Sequence, residues 1–274
     1  MRLSLLLAPL VFAASCKNEN DLYEQSGTDT WTQADNDRVD ILFVVDDSRT
    51  MLEEQATLAA GFSSFANQLD TSQTRFHLGV ISTSFEYNDP NRGKLVADEG
   101  EPLFLTWETP GYAAMFASRA QLGTSGSDFE KGLDAAAYAL SPVIALDVNT
   151  GFSRPEARLL IVFVSDEEDC SDAGALGTDF LDNGEVCYIE EDSLVPVADY
   201  VAQFRDLRAD PEDVVVTAIV GVDELGCDTD GDGRQDAFPG DRYAEVARLT
   251  GGEVGNICDG DWSAIMEDLG LNAT

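Results

Sequence analysis

Three oxygen-bearing side chains, Asp46, Ser48 and Thr50, stand at alternate positions directly after an apolar run over residues 39–45 that is broken only by Asp40. In a segment passing from extended backbone into a turn, that spacing lets all three oxygens aim at one point. Magnesium and its relatives take oxygen ligands in near-octahedral geometry and keep several waters, so the stretch has the donor chemistry of a hard-cation site. A second apolar run, residues 159–165, ends in the same way at Asp166, followed by Glu167, Glu168 and Asp169. Between them lies a glycine- and hydroxyl-rich loop, residues 123–133, that offers Thr124 and Ser127. Counting back from Gly132 favours Ser127, yet Ser127 with Glu130 three residues later also reads as a capping box that would occupy its oxygen on backbone amides. Thr124 is free of that duty; the reading leans to Thr124 and keeps Ser127 open.

Residues 46–50 resemble the metal-ion-dependent adhesion site of von Willebrand factor A domains, Asp-x-Ser-x-Ser, with Thr50 in place of the last serine. The run 161–166 is similar to the later strand of that family. The resemblance implies Mg2+ or Mn2+ held directly by Ser48, Thr50 and either Thr124 or Ser127. Asp46 and Asp166 would act through water, and one position would stay open for the carboxylate of a protein partner. The same stretch, Val45-Asp46-Asp47-Ser48, also resembles the first strand end of a response-regulator receiver. A receiver needs a lysine ending a later strand, and neither Lys94 nor Lys131 follows an apolar run. The haloacid-dehalogenase motif Asp-x-Asp-x-Thr is a third comparison, but Ser48 replaces the acid/base aspartate that chemistry uses. His77, the single histidine, sits inside a strand candidate, so serine triads and histidine zinc sites lack parts. A binding module is expected, with a metal-independent envelope scaffold and a metal-dependent phosphohydrolase as the other readings.

Asp228, Asp230, Asp232 and Asp236, with Gly233, fall at positions 1, 3, 5, 9 and 6 of an EF-hand-type calcium loop. Pro239 stands where the bidentate glutamate belongs, so calcium would be held weakly or completed by a residue such as Asp241. The loop resembles those of thrombospondin type 3 and dockerin modules.

Residues 1–15 read as a signal peptide, with Arg2 ahead of an apolar core too short to span a bilayer. Ala13-Ala14-Ser15-Cys16 is similar to a bacterial lipobox, which implies an acylated Cys16 and a lipid anchor in the cell envelope. Lys17 replaces the aspartate associated with inner-membrane retention, which points to the outer membrane. Residues 16–36 are polar and aperiodic, the composition of a tether. Cys170, Cys187, Cys227 and Cys258 remain, an even set for an oxidising compartment. Four cysteines allow three connectivities, and sequence does not choose; Cys170 with Cys187 and Cys227 with Cys258 closes the shortest loops and is preferred here. With 52 acidic against 16 basic residues the formal charge is -36, so nucleic acid and anionic lipid surfaces are repelled.

These motifs need elements to position them. Strands are expected at 39–46, 75–83, 158–165, 213–221 and 253–257, and helices at 51–69, 128–140, 195–207, 241–249 and 261–269. Near-continuous apolar strands between amphipathic helices describe an α/β domain over 37–274, a doubly wound, mostly parallel sheet flanked by helices. Residues 86–110 break the rhythm as a loop or small hairpin.

Overall fold

The computed structural model describes residues 37–86, 89–127, 129–176, 186–223, 226–227 and 235–273. The chain divides into two units, Met1–Asp35 and Asn36–Thr274, and every described residue belongs to the second. The signal peptide, Cys16, the tether and the calcium-loop residues Asp228, Asp230 and Asp232 lie outside the described residues.

Six strands form one sheet: β1 (Arg38–Val45), β2 (Arg75–Ser82), β3 (Leu105–Thr106), β4 (Arg158–Val164), β5 (Val214–Val220) and β6 (Val254–Asn256). Their order is β3-β2-β1-β4-β5-β6, parallel throughout except for β3, which runs antiparallel to β2. The helices are α1 (Leu52–Ser72), α2 (Tyr112–Arg119), α3 (Gly132–Leu140), α4 (Pro142–Ala145), α5 (Val186–Ile189), α6 (Val197–Arg205), α7 (Asp241–Leu249) and α8 (Ser263–Asn272).

Alternation along β1 explains the two layers. Val39, Ile41, Phe43 and Val45 join a core with α1, α2 and α8, whereas Leu42 and Val44 join one with α3, α6 and α7. A strand covered on both faces must be apolar at successive positions, which is why β1 and β4 read as continuous runs. In α1, Leu58, Phe62, Phe65, Ala66 and Leu69 recur at helical spacing and are buried. That helix stops at Gln73, whose left-handed φ of 57° lets its amide reach back to Asp70 O.

The expected strands are all present, with ends shifted by one residue at most. Three differences stand out. Among the described residues of 86–110 only the two-residue β3 forms, so the hairpin expectation reduces there to one short antiparallel contact with β2. Helix α2 was not anticipated: it is eight residues long and starts after Gly111, whose φ of 72° breaks the preceding chain. Helix α3 begins at Gly132 rather than 128, which changes the reading of Ser127 and Glu130.

At the amino end of the sheet, Asp40 is fully buried and holds two arginines. Its carboxylate accepts from Arg154 Nε at 2.7 Å and from Arg208 Nη2 at 3.0 Å. His77 donates through Nδ1 to Phe152 O, 2.8 Å away, as a packed strand residue. Burial lowers its pKa.

Candidate functional site

Parallel pairing of β1 with β4 sets Val45 opposite Val164, so the residues that follow, Asp46 and Ser165-Asp166, leave the sheet side by side. The Asp46 amide continues the ladder one step, donating to Val164 O at 2.9 Å. This is where the connections from β1 diverge to opposite edges, the crevice in which open α/β sheets bind ligands. Asp46 Oδ1 accepts from the Ser48 amide at 2.7 Å and Oδ2 from Ser165 Oγ at 2.6 Å. Ser48 Oγ and Thr50 Oγ1 lie 3.3 Å apart. The Thr50 hydroxyl also bonds the Asp166 carboxyl, while Asp166 Oδ1 is buried with no hydrogen-bond partner.

The loop before α3 is drawn to the same rim from below and above. Gln55, a buried amide on α1, donates to Asp46 O at 2.8 Å and to Gly123 O at 2.9 Å, and accepts from the Gly123 amide at 3.1 Å. Asp47 Oδ1 takes hydroxyl protons from Ser82 and Ser84 at 2.6 and 2.8 Å, and its carbonyl accepts from the Gly126 amide at 2.7 Å. A Cβ on Gly126 would lie 2.6 Å from that carbonyl, so only glycine permits the approach. Thr124 is half-buried in this stretch. Ser127 donates its amide to Ser84 Oγ at 2.9 Å and accepts from the Phe129 amide at 3.0 Å. The expected capping box is therefore absent: with α3 starting at Gly132, Ser127 closes a local turn and Glu130 is released from it.

Glu130, which the sequence offers only as half of a capping box, is the most unusual side chain at this rim. It is 0 % exposed; the Thr83 hydroxyl approaches its carboxyl, yet neither oxygen makes a well-formed hydrogen bond. Burial pushes its pKa well above the usual range, and the charge of Asp46 adds to that. The same two causes, in the same order, raise Asp166 well above its ordinary value. Asp46 itself is pushed up to about 6 by burial, against the bonds from Ser165 and Ser48. Like charges held close in a dry place disfavour one another. Buried oxygens without partners beside two hydroxyls fit a hard cation, which neutralises the charge and fills the lone pairs. Among the described residues no three Asp, Glu, His or Cys side chains form a ready-made cage, so hydroxyls and water must complete any coordination.

In the acidic run after Asp166, Glu168 and Asp169 are buried. Glu168 turns inward and accepts from the Asp169, Asp241 and Arg242 amides at 2.9, 3.0 and 3.0 Å, capping the start of α7. Burial raises its pKa to about 8. Asp169 accepts from the Leu133 amide at 3.0 Å, Ser171 Oγ at 2.7 Å and Arg242 Nε at 3.0 Å. These two carboxylates position α3 and α7 and leave Asp166 for the rim.

Both preferred disulfides are present. Cys170–Cys187 and Cys227–Cys258 have Cα separations of 5.0 and 6.3 Å, and both sit beyond strand ends on the rim side. Cys170 and Cys187 pack with Phe129 and Leu194, next to Glu130. At the ends of the calcium-loop candidate, the Asp236 amide donates to Cys227 O at 2.7 Å and the Cys227 amide to Ala237 O at 3.0 Å.

No family model and no curated protein matches the sequence. Among solved structures, the chain is similar to proximal thread matrix protein 1 of the mussel byssus, at 12% identity and a TM-score of 0.43, over 86% of this chain and 48% of that one. It is also similar to an aerotolerance-related membrane protein from Bacteroides fragilis, at 15% identity and TM-score 0.41, over 86% and 98% of the two chains. A third is the pilus adhesin SpaC of Lactobacillus rhamnosus GG, at 10% identity and TM-score 0.48, over 86% and 30%. The chain thus spans about half the length of the mussel protein. At these identities the α/β fold rests on its own strands and helices. Among the described residues no helix is long and apolar enough to cross a membrane.

Proposed function

We propose that this chain is an exported, lipid-anchored binding module of the von Willebrand factor A type, which holds a divalent cation at the rim and captures through it a carboxylate of a protein partner. The observation that carries the reading is the unpaired, buried Asp166 Oδ1 beside Asp46 at the switch point, with the Ser48 and Thr50 hydroxyls at the same opening. Mg2+ or Mn2+ would supply the positive charge to which a partner's carboxylate binds. Ser48 and Thr50 donate lone pairs directly. Asp46 is immobilised by Ser165 and the Ser48 amide, so it acts at a set distance through water, as does Asp166. Two disulfides support an oxidising compartment.

Asp46→Ala combined with Ser48→Ala is expected to abolish Mg2+ and Mn2+ binding by calorimetry while circular dichroism keeps the parent's helix and strand content. Equal metal affinity in parent and variant rejects the site. A parent that binds neither ion returns the chain to the scaffold reading, and phosphatase activity lost with Asp46 makes it an enzyme.

The anchor has its own test. Cys16→Ala should move the protein from the detergent phase and the membrane pellet to the soluble fraction; unchanged partitioning removes lipidation from the proposal.

A further inference from the structure

We propose that Glu130 is a resident third carboxylate of the rim site, a direct oxygen ligand of the divalent ion in the place expected for Thr124 or Ser127. The inference rests on the metal-site reading above and goes beyond it, since it names a ligand that the Asp-x-Ser-x-Ser pattern does not contain.

Three independent observations converge on this residue. First, Glu130 is a 0 % exposed carboxyl with no well-formed hydrogen bond to either oxygen, which is rare in folded proteins because buried polar groups are otherwise satisfied. The Thr83 hydroxyl, after β2, approaches the Glu130 carboxyl without completing a well-formed hydrogen bond, and Asp166 Oδ1 after β4 is buried and unpaired. These oxygens thus lie past the ends of β2 and β4, the strands on either side of β1, and in the loop before α3. Second, the cation next to it in the chain is committed elsewhere. Lys131 Nζ bonds Asp172 at 2.5 Å and lies 4.6 Å from the Phe129 ring centroid. The charged groups that act most strongly on Glu130 are Asp46, Glu167 and Asp47, all acidic. Third, the backbone on either side is pinned, so the carboxylate is presented rather than mobile. Cys170 N donates to Glu130 O at 2.6 Å, Lys131 N to Thr83 O at 3.2 Å, and Leu133 N to Asp169 Oδ1 at 3.0 Å. A hydroxyl ligand is neutral, whereas Glu130 adds a full negative charge to those of Asp46 and Asp166. The resident charge then exceeds that of a divalent ion, so the cation is retained before any partner arrives. The partner adds its oxygen to an ion already in place.

The test is titration of the full chain with Mn2+ or Mg2+ alone, read by calorimetry and by thermal melting. Glu130→Gln keeps the shape and removes the charge. It should weaken ion affinity by about 10- to 100-fold or more and remove the ion-dependent rise in Tm. Its metal-free Tm should match the parent's, because glutamine keeps the volume and polarity of the buried side chain. Glu130→Asp should recover part of the affinity, and Thr124→Ala with Ser127→Ala should change nothing. Unaltered ion affinity in Glu130→Gln overturns the inference. So does a loss of affinity in the Thr124/Ser127 pair that Glu130→Gln does not share. If the Asp46/Ser48 variant loses the ion while Glu130→Gln does not, only this inference fails; if the parent binds no ion, the metal-site reading fails with it.

Discussion

Asp40→Ala is expected to lower folding stability by about 3–5 kcal/mol at neutral pH and to leave metal titration of the folded fraction unchanged. Asp40 is fully buried in β1, at the end of the sheet away from the rim, and it joins Arg154 and Arg208. Alanine would strand two guanidiniums, one of them on a side chain only 2% exposed. For a domain of this size each kcal/mol shifts Tm by roughly 2–4 °C, so a fall on the order of 10 °C should appear by calorimetry. A loss below about 1 kcal/mol, the range of an exposed pair, would mean that the Val39 and Arg75 carbonyls already satisfy Arg154. The pH dependence has a definite sign. Burial outweighs both arginines and lifts Asp40 from 3.8 to about 6. Below 3.8 both folded and unfolded chains carry the proton and this group imposes no penalty. Between about 4 and 6 the unfolded chain ionises first, so stability falls as pH rises, by on the order of 3 kcal/mol from this group. Urea unfolding of Asp40→Asn should lack that slope; curves parallel to the parent's from pH 4 to 7 would contradict it.

Removing the Cys170–Cys187 bridge with a pair of alanines should cost roughly 3 kcal/mol by the loop-closure account. The bridge spans 17 residues of sequence and packs under Phe129. Its effect should reach the rim. Cys170 N is the donor that fixes the Glu130 carbonyl, so the ion affinity of the variant should fall along with its Tm. Losing the Cys227–Cys258 bridge should cost a similar amount of stability, since the loop term grows slowly with length. It should spare ion affinity, because that bridge joins the chain after β5 to the chain after β6. Equal ion affinities in all three proteins would show that the Phe129 packing alone holds the loop.

What the sequence determined by itself was local and periodic. Strands β1 and β4 are legible because burial on both faces demands an unbroken apolar run, and Asp46 and Asp166 stand out because they end such runs. Loop length gave a preference among three disulfide connectivities, and the structure holds the preferred pairs. Tertiary structure decided whatever depends on a partner far away in the chain. Glu130 looks like half of a capping box until α3 is seen to start at Gly132 and the side chain is found beside Asp46. Glu168 and Asp169 stand in the sequence only as part of an acidic run after Asp166; Glu168 faces inward because α7, arriving from residue 241, needs its first amides capped, and Asp169 because the Leu133 amide and the Arg242 side chain meet it there. Asp40 reads as a flaw in an apolar strand. Its partners Arg154 and Arg208 lie 114 and 168 residues away, a distance at which no local pattern records which charges will meet.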